Sequence, residues 1–545
     1  MQMKRLKLFL LILALLGMMA AVVVFRSPYA PVVGGVRDIE ELWAIEDTRE
    51  ESEAPLVTAL SDNGMPLAYN REEDLFYCPL GLGQGDEWPQ LHLTAPQGSR
   101  VSICFSDDYT YDSCSEAIRK GYAYELMAYT DDAYHYFSIV FTGLPVVCIA
   151  ADEEITDRDT PADVTLSSYG EQAVSTHARI HRRGGLTRGS EKPAYKVEFT
   201  RKVNGGNKVS LKTPGLGPAD EFLLLPMPFD SLFMRDRLSW DVYGLMRPDR
   251  ESFAARTTAY TEVVVNGEYA GVYLMMKPFD MEGELSRAGT RHLRADRVYR
   301  TCVSYMSEGR PLLEHPVREG AGYELFFGAG SSKPFDALQD YLTLLEEPDD
   351  ARFGREALAR MDLADMLTME ILIQAGGMTD NVFNNLFIWA ENTHEGYVYH
   401  YIPWDMDLTW GLKKEDVGEG FENWMYFPVA DRLINLDPDG RVRGELLSLW
   451  RKARENALSL ETIERLTDRY AHELNDSGAM RRNAERWGTE NYLADAQDIL
   501  DFAEIRFALL DETMARIAEN PGESVTFLER TQFEGKGSAI VWEAP

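Results

Sequence analysis

The amino-acid sequence predicts an α+β protein. Its core combines an antiparallel sheet with C-terminal helices, and a small β-sandwich and an N-terminal membrane anchor precede this core. Short alternating apolar runs with turn residues between them recur over residues 55–142, which is the pattern of a β-sandwich. Longer strand patterns follow, including a pair joined by Asn266-Gly267, a preferred hairpin turn. After Gly411, apolar residues recur at three- and four-residue steps, which predicts helices packed on a core.

The chain is long enough for more than one domain. It has 545 residues, of which 45% are hydrophobic, so we expect two to four domains with their own cores. We predict five segments, namely an N-terminal membrane anchor or signal (1–26), a linker (27–54), a β-sandwich domain (55–142), a core domain (143–520) and a C-terminal tail (521–545).

The first segment has the composition of a membrane anchor. Three cations, Lys4, Arg5 and Lys7, precede an uncharged run over residues 8–25. Such a run spans about 27 Å as a helix, enough to cross a bilayer. Since no A-x-A cleavage site adjoins it, we favour an uncleaved anchor over a cleaved signal. The basic flank predicts that the remaining chain lies outside the cytoplasm, anchored or, after cleavage, secreted.

Charge and cysteine content exclude some classes of function. The formal charge of -34 argues against a nucleic-acid partner, which needs clustered Lys and Arg. Cys104 with Cys114, and Cys78 with Cys148, are candidate disulfide pairs for an oxidising compartment. The sequence has no C-x-x-C and no His/Cys cluster, so a structural zinc site has no support.

The most informative stretch covers residues 379–411. Two runs rich in aromatic and β-branched residues, 385–390 and 397–402, flank a polar segment that ends in glycine, which predicts a β-hairpin. With the turn centred on that segment, residue 385 faces about 402, and 380 faces about 407. A predicted helix over 362–374 positions Asp380 through a break at Gly376-Gly377. The open end of the hairpin then gathers five oxygen-bearing side chains: Asp380, Asn384, Asn385, Asp405 and Asp407.

Such a set of side chains is typical of a site for a hard divalent cation. Crowded carboxylates oppose one another's ionisation unless a cation compensates them, and Mg²⁺ prefers oxygen ligands. The spacing from Asp380 to Asn385 is that of the protein-kinase catalytic loop, D-x-x-x-x-N, although the HRD histidine and the DFG motif are absent. The alternative interpretation is that these Asp and Asn residues only cap turns.

A second segment carries clustered positive charge. Five basic residues occur within positions 182–196, interleaved with Gly184, Gly185 and Gly189. Glycines let the backbone approach a ligand, and basic side chains bind phosphate oxygens, so this segment is a candidate nucleotide-binding turn. An ordinary exposed hairpin is the alternative.

The order of motifs resembles that of the CotH family, the spore-coat CotH-like atypical protein kinases. The resemblance covers about residues 144–520. It rests on five segments in order: LPVVCIA (144–150), RRGGLTRGSEKPAYKVEF (182–199), FLLLPMPFDSLFMRDRLSWDVYGLM (222–246), YTEVVVNGEYAGVYLMM (260–276), and TDNVFNNLFIW (379–389) with IPWDMDLTWG (402–411). It implies an atypical protein-kinase-like core that binds ATP and Mg²⁺ and phosphorylates Ser or Thr of a coat or envelope protein.

The resemblance also assigns roles to individual residues. It implies that Asp380 is the catalytic Asp and that Asn385, Asp405 and Asp407 are metal ligands. It implies phosphate contacts for four residues of the basic segment: Arg183, Thr187, Lys192 and Lys196. Two departures bear on activity. Gly185 and Leu186 replace side chains that could bond phosphate in the family pattern, and Lys277 stands where the family has Glu.

We therefore expect a kinase-like phosphotransferase that acts on Ser or Thr of a surface or envelope protein. The main alternative is a non-catalytic surface adhesion or structural protein on the same fold, because ATP is scarce outside the cytoplasm. A carbohydrate hydrolase is a more distant third, since it needs an acid and a base across a cleft.

Overall fold

The structure is a computed structural model. It describes residues 29–31, 36–37, 39–83, 88, 91–96, 101–106, 113–185, 187–203, 206–248, 250–288, 296–301, 323–328, 332–412, 421, 424–425, 427–437 and 439–520. The predicted anchor (1–26) and tail (521–545) lie outside the described residues. Contacts divide the chain into a first unit (1–226, 258–276 and 472–493) and a second unit (227–257, 277–471 and 494–545).

The fold is mixed α+β, as the sequence predicts. The strands are β1 (Tyr29–Pro31), β2 (Val36–Arg37), β3 (Glu50–Glu51), β4 (Ser61–Asp62), β5 (Met65–Pro66), β6 (Ala68–Asn70), β7 (Leu75–Pro79), β8 (Leu93–Pro96), β9 (Ser102–Ser106), β10 (Ala123–Tyr129), β11 (Ala133–Thr142), β12 (Val146–Ala150), β13 (Thr160–Ser167), β14 (Val174–Arg183), β15 (Ala194–Thr200), β16 (Leu211–Thr213), β17 (Gly217–Ala219), β18 (Glu221–Leu225), β19 (Thr258–Val265), β20 (Glu268–Met276), β21 (Arg297–Thr301), β22 (Tyr323–Phe327), β23 (Leu386–Thr393) and β24 (Gly396–Pro403). The helices are α1 (Ile39–Glu46), α2 (Cys114–Lys120), α3 (Arg235–Met246), α4 (Met281–Arg287), α5 (Asp336–Leu345), α6 (Asp350–Arg360), α7 (Leu363–Gly376), α8 (Asp380–Phe383), α9 (Pro428–Leu436), α10 (Arg441–Glu455), α11 (Leu460–Asp476), α12 (Ala479–Trp487) and α13 (Gln497–Glu519).

Two sheets form the N-terminal part of the first unit. One has the strand order β1-β8-β4-β5, and the other has the order β2-β9-β10-β11-β7-β6, with β3 also paired to β11. Both sheets contribute to one apolar core, which contains Met65 and Ala95 from the first sheet and Phe76 and Ile139 from the second. Two sheets that share a core are the arrangement of a sandwich.

The predicted linker and disulfides need correction. Residues 27–54 are not only a spacer, since they contain β1, β2, β3 and α1. Leu42 and Ile45 of α1 are buried in a cluster with Cys104 and Met127, and their three-residue spacing is hidden among acidic neighbours. Within the described residues, neither candidate disulfide forms. Cys104 lies in β9 and Cys114 begins α2, so they are not partners across a hairpin.

A closed barrel replaces the predicted antiparallel sheet in the rest of the first unit. Its strand order is β12-β13-β14-β15-β18-β20-β19, and the ring closes through the parallel pair β12 and β19. Val164, Ile180, Val197 and Phe222 belong to its apolar core. The predicted Asn266-Gly267 turn is present, with φ of 52° and 81°. Strand alternation identifies a buried face but does not reveal that the ends of a sheet meet.

The second unit places the hairpin of interest in an antiparallel sheet of order β22-β21-β23-β24. Helix α7 runs from beside this sheet to the open end of the hairpin, and the N–H of its N-cap residue, Asp362, donates to Tyr399 O of β24 at 3.0 Å. In the part of the chain that the structure describes, no helix combines the length and the apolar character needed to cross a membrane.

Candidate metal-binding active site

Helix α7 delivers Asp380 to the site. The helix is almost entirely buried and ends at Gly377, whose φ of 60° lies in the left-handed region that favours glycine. The N–H of Gly377 donates to Ile373 O, which closes the last turn. Asp380 then begins the short helix α8. The predicted helix that ends on two glycines just before Asp380 is therefore observed.

The hairpin is present, but its register differs from the prediction. Thr393 pairs with Gly396, so the turn contains only two residues, and Leu386 pairs with Pro403. Asn385 therefore faces Trp404 rather than residue 402, and the Trp404 N–H donates to Asn385 O at 3.1 Å. The register differs because residues 391–393 pair with residues 396–398 as part of the two strands, although their polar character predicts a turn.

Asp380 is held by two asparagine side chains. Asn385 Nδ2 donates to Asp380 Oδ2 at 2.6 Å, and Asn384 Nδ2 lies 3.3 Å from the same oxygen. These amides orient the carboxylate and stabilise its charged form. The Asp-x-x-x-x-Asn spacing thus corresponds to a direct contact.

The open end of the hairpin has an unusual backbone. Asn385 and Asp405 have φ of 49° and 55°, a conformation that costs about 1 to 3 kcal/mol for a residue other than glycine. The buried side chain of Asn381 supports this geometry, because its Nδ2 donates to Asn385 O at 3.0 Å and to Trp404 O at 2.8 Å. One amide therefore joins the two strand ends that carry the candidate metal ligands.

Helix α3 contributes acids that the sequence reasoning missed. Asp236, in its first turn, accepts a hydrogen bond from the Met406 N–H at 3.0 Å. Thr409 Oγ1 donates to Met406 O at 2.9 Å. Asp230 precedes the helix, accepts from the N–H groups of Met234 and Arg235, and forms a buried ion pair with Arg235. The only signal in the sequence is that these residues lie within one family-like segment.

The electrostatics of Asp407 show how concentrated the acids are. Burial raises the pKa of its carboxyl well above the usual value, and the charges of Asp405, Asp236, Asp380 and Asp230 raise it further, in that order. A bound divalent cation would lower the pKa of Asp407, because its positive charge would offset the negative charges of the four neighbouring aspartates. The donor set of carboxylate and amide oxygens is also the kind that Mg²⁺ selects. Among the described residues, however, the three acidic or imidazole side chains close enough to share one ion are Asp362, Asp365 and His400, and not the acids of this hairpin end.

In the structure Asp380 contacts Asn384 and Asn385 directly, and Asp405, which is exposed, and Asp407, which is half-buried, lie at the same hairpin end within electrostatic range. We call this group, with Asp230 and Asp236, the acid cluster. The catalytic role of Asp380 and the ligand roles of Asn385, Asp405 and Asp407 stay predictions.

The predicted phosphate contacts lie in the first unit. Lys196 Nζ is 3.1 Å from Glu221 Oε2, on the face of β15 that points away from the barrel core. Thr187 Oγ1 donates to Arg183 O at 3.3 Å and so stabilises the glycine turn itself. The nucleotide-binding roles of these three residues stay predictions.

Lys192 is the fourth predicted phosphate contact, and that role stays a prediction. Its ammonium group is buried and donates to Val272 O at 2.6 Å and to Asn483 Oδ1 at 2.9 Å. Burial lowers its pKa to about 7. In this structure the partly buried side chain joins elements of the first unit through these hydrogen bonds.

The fold is mixed α+β, and carboxylate and amide side chains cluster at one end of a hairpin. The chain belongs to the CotH family: residues 180–510, more than half of the sequence, match the family described as CotH kinase protein. The matched region includes the hairpin, α3 and most of the barrel. No curated protein matches the chain.

Proposed function

We propose that this protein binds Mg²⁺ with ATP at the acid cluster and transfers a phosphoryl group to a Ser or Thr hydroxyl of a surface or envelope protein. The observation that carries the proposal is the position of Asp407, whose carboxyl is surrounded by the charges of four other aspartates. Acids in this arrangement favour a divalent cation, and family membership supports kinase-like chemistry.

Asp405, Asp407 and Asn385 are the proposed metal ligands, because they lie on the two strand ends that Asn381 joins. When bound, the metal would supply positive charge to phosphate oxygens. Asp236 fixes the backbone between Asp405 and Asp407 through the Met406 N–H, so the two carboxylates keep their spacing.

Asp380 is the proposed base. Its carboxylate is oriented by Asn384 and Asn385, and an incoming hydroxyl would donate its proton to that carboxylate. Positioning and preorganised charge would supply most of the rate acceleration in such a site.

The test is a thermal shift of the full chain with ATP, with and without MgCl₂. We expect a rise in the unfolding temperature only when ATP and MgCl₂ are both present. The Asp405→Asn variant should lose this rise, and its fold should persist because Asn also tolerates the left-handed backbone at this position. Asp468→Asn, an exposed change on α11, is the matched control and should behave as wild type. No shift with any divalent ion contradicts the proposal. Transfer of labelled phosphate from ATP to candidate envelope proteins then tests the reaction itself.

A further inference from the structure

A cavity lies in the second unit, against one face of the hairpin formed by β23 and β24. Its volume is about 350 Å³, and its walls come from the end of α3 and the loop after it, the end of α4, the start of α7, and strands β23 and β24. The residues that matter for its chemistry are Arg247, Arg250, Arg287, Asp362, Asp365 and His400.

This cavity is cationic in a strongly acidic protein. Asp365 is only 3% exposed, and it pairs with both Arg247 and Arg250 and accepts from His400 Nδ1 at 2.8 Å. Burial lowers the pKa of His400, but hydrogen bonds to Asp365 and Glu391 outweigh burial and raise it to about 9. The imidazole therefore carries a charge at neutral pH. The lining therefore carries four cationic groups and three carboxylates, those of Glu251, Asp362 and Asp365. Two further carboxylates outside the lining, Glu391 and Glu284, pair with His400 and Arg287.

The same residues include a possible metal triad, but their contacts disfavour a cation. Ligand atoms of Asp362, Asp365 and His400 lie within 4.8 Å of one another. A metal needs a neutral imidazole nitrogen and an accessible carboxylate oxygen. Here His400 is protonated, and Asp365 already accepts from two guanidinium groups and the imidazole.

We propose that this cavity is a binding site for a phosphate monoester dianion. Guanidinium groups match phosphate oxygens in charge and in planar geometry, and Asp365 holds two of them together with His400. Arg287 adds a third guanidinium, which is 48% exposed and pairs with Glu284 at 2.8 Å, so its exposed nitrogens face the solvent from which a ligand would enter. The volume is at the small end for a ligand pocket, which favours a compact group over a nucleotide.

The cavity is distinct from the acid cluster. Helix α3 carries Asp236 in its first turn and ends at Met246, next to Arg247, and its 12 residues correspond to about 18 Å. A single phosphate cannot contact both places. The inference therefore does not depend on the proposed phosphotransfer, and it can fail or succeed separately.

The experiment titrates the full chain with O-phosphoserine, inorganic phosphate and a phosphoserine peptide, with EDTA present and nucleotide absent, using calorimetry. We expect binding of the phosphorylated probes and none of serine. Arg287→Ala should weaken it about tenfold, the loss of one charge-assisted hydrogen bond. Arg355→Ala, an exposed arginine on α6, is the control and should change nothing. Tighter binding of the peptide than of phosphoserine identifies a protein-borne group, and equal binding identifies a small ligand.

The Asp362→Asn variant distinguishes an anion site from a cation site, because it should strengthen the binding of an anion and weaken the binding of a cation. Asp362→Asn retains a good N-cap for α7, so the fold should persist. It removes a negative charge, so phosphoserine should bind about two- to fivefold more tightly. A separate titration with ZnCl₂, without EDTA, tests the cation site. Zinc binding that this variant abolishes, or no binding of any phosphorylated probe at millimolar concentration, overturns the proposal.

Discussion

The Asp236 carboxylate accepts a hydrogen bond from the Met406 N–H, with 3.0 Å between Oδ1 and N, although 170 positions separate the two residues. This contact fixes the backbone between two candidate metal ligands to the first turn of α3. It makes Asp236 a positioning residue as well as a member of the acid cluster.

Replacing Asp236 should therefore weaken metal binding both by removing a negative charge and by removing the acceptor that positions the Met406 backbone, and two variants separate these causes. Asp236→Ala leaves the buried Met406 N–H without an acceptor, and we expect about tenfold weaker Mg²⁺-dependent ATP binding. Asp236→Asn keeps an acceptor oxygen and should recover part of that loss. Calorimetric titration of both variants measures the difference, and equal effects would mean that the hydrogen bond has no positioning role.

Asn381 should be important for stability. Asn381→Ala removes the donor that serves Asn385 O and Trp404 O, so we expect a loss of about 1 to 3 kcal/mol in the free energy of unfolding. Asn491→Ala, at an exposed position, is the control and should stay within about 0.5 kcal/mol of wild type. Urea unfolding monitored by circular dichroism provides the comparison. Equal effects of the two substitutions would show that the amide bridge does not support the hairpin end.

The hydrogen-bonded pair of His400 and Asp365 should make the free energy of unfolding depend on pH. Because the pKa of His400 rises from 6.5 to about 9 in the folded state, its contribution is fully present below pH 6.5 and is lost as pH rises through about 9. The pKa of Asp365 is lowered, despite burial, by His400, Arg250 and Arg247, so its contribution is lost only in strong acid. We expect a decline of at most about 3 kcal/mol across the alkaline window. His400→Gln should flatten that decline, and an unchanged slope would contradict the assignment.

The buried carboxyl groups of Glu370 and Asp431 should also make stability depend on pH, over a different pH range. Burial raises the pKa of Glu370 well above its usual value, and the nearby Asp431 raises it further. The folded state therefore keeps a proton that the unfolded state releases above about pH 4.5, so stability falls as pH rises from there. Glu370→Gln should reduce this dependence between pH 5 and pH 8, and the remainder belongs to Asp431, whose pKa burial also raises well above its usual value. Unfolding measured at both values tests it, and an equal fall in the variant would exclude Glu370 as the cause.

The sequence predicted what depends on local patterns. The hairpin follows from two aromatic and β-branched runs, and the helix before Asp380 follows from its apolar residues and its two glycines. The register was wrong by two positions because residues 391–393 are polar yet extend the strands. Family resemblance, now confirmed, came from the order of motifs and not from any one of them.

Features that depend on distant residues were not predictable in this way. Asp236 meets Met406 only through tertiary packing, and no periodicity links them. Lys192 resembles a phosphate ligand in sequence, but the fold buries its ammonium against Val272 and Asn483. Barrel closure likewise requires β12 to meet β19, a pairing between segments more than a hundred residues apart.

The most direct test of the acid cluster is the thermal unfolding of the full chain and of Asp407→Asn, each with and without MgCl₂ and ATP. If the aspartates repel one another until a cation binds, the variant should be more stable than wild type without metal, by about 1 kcal/mol, and should lose the stabilisation that Mg²⁺ and ATP give wild type. A variant that is no more stable than wild type without metal, and that responds to Mg²⁺ and ATP as wild type does, would contradict the account.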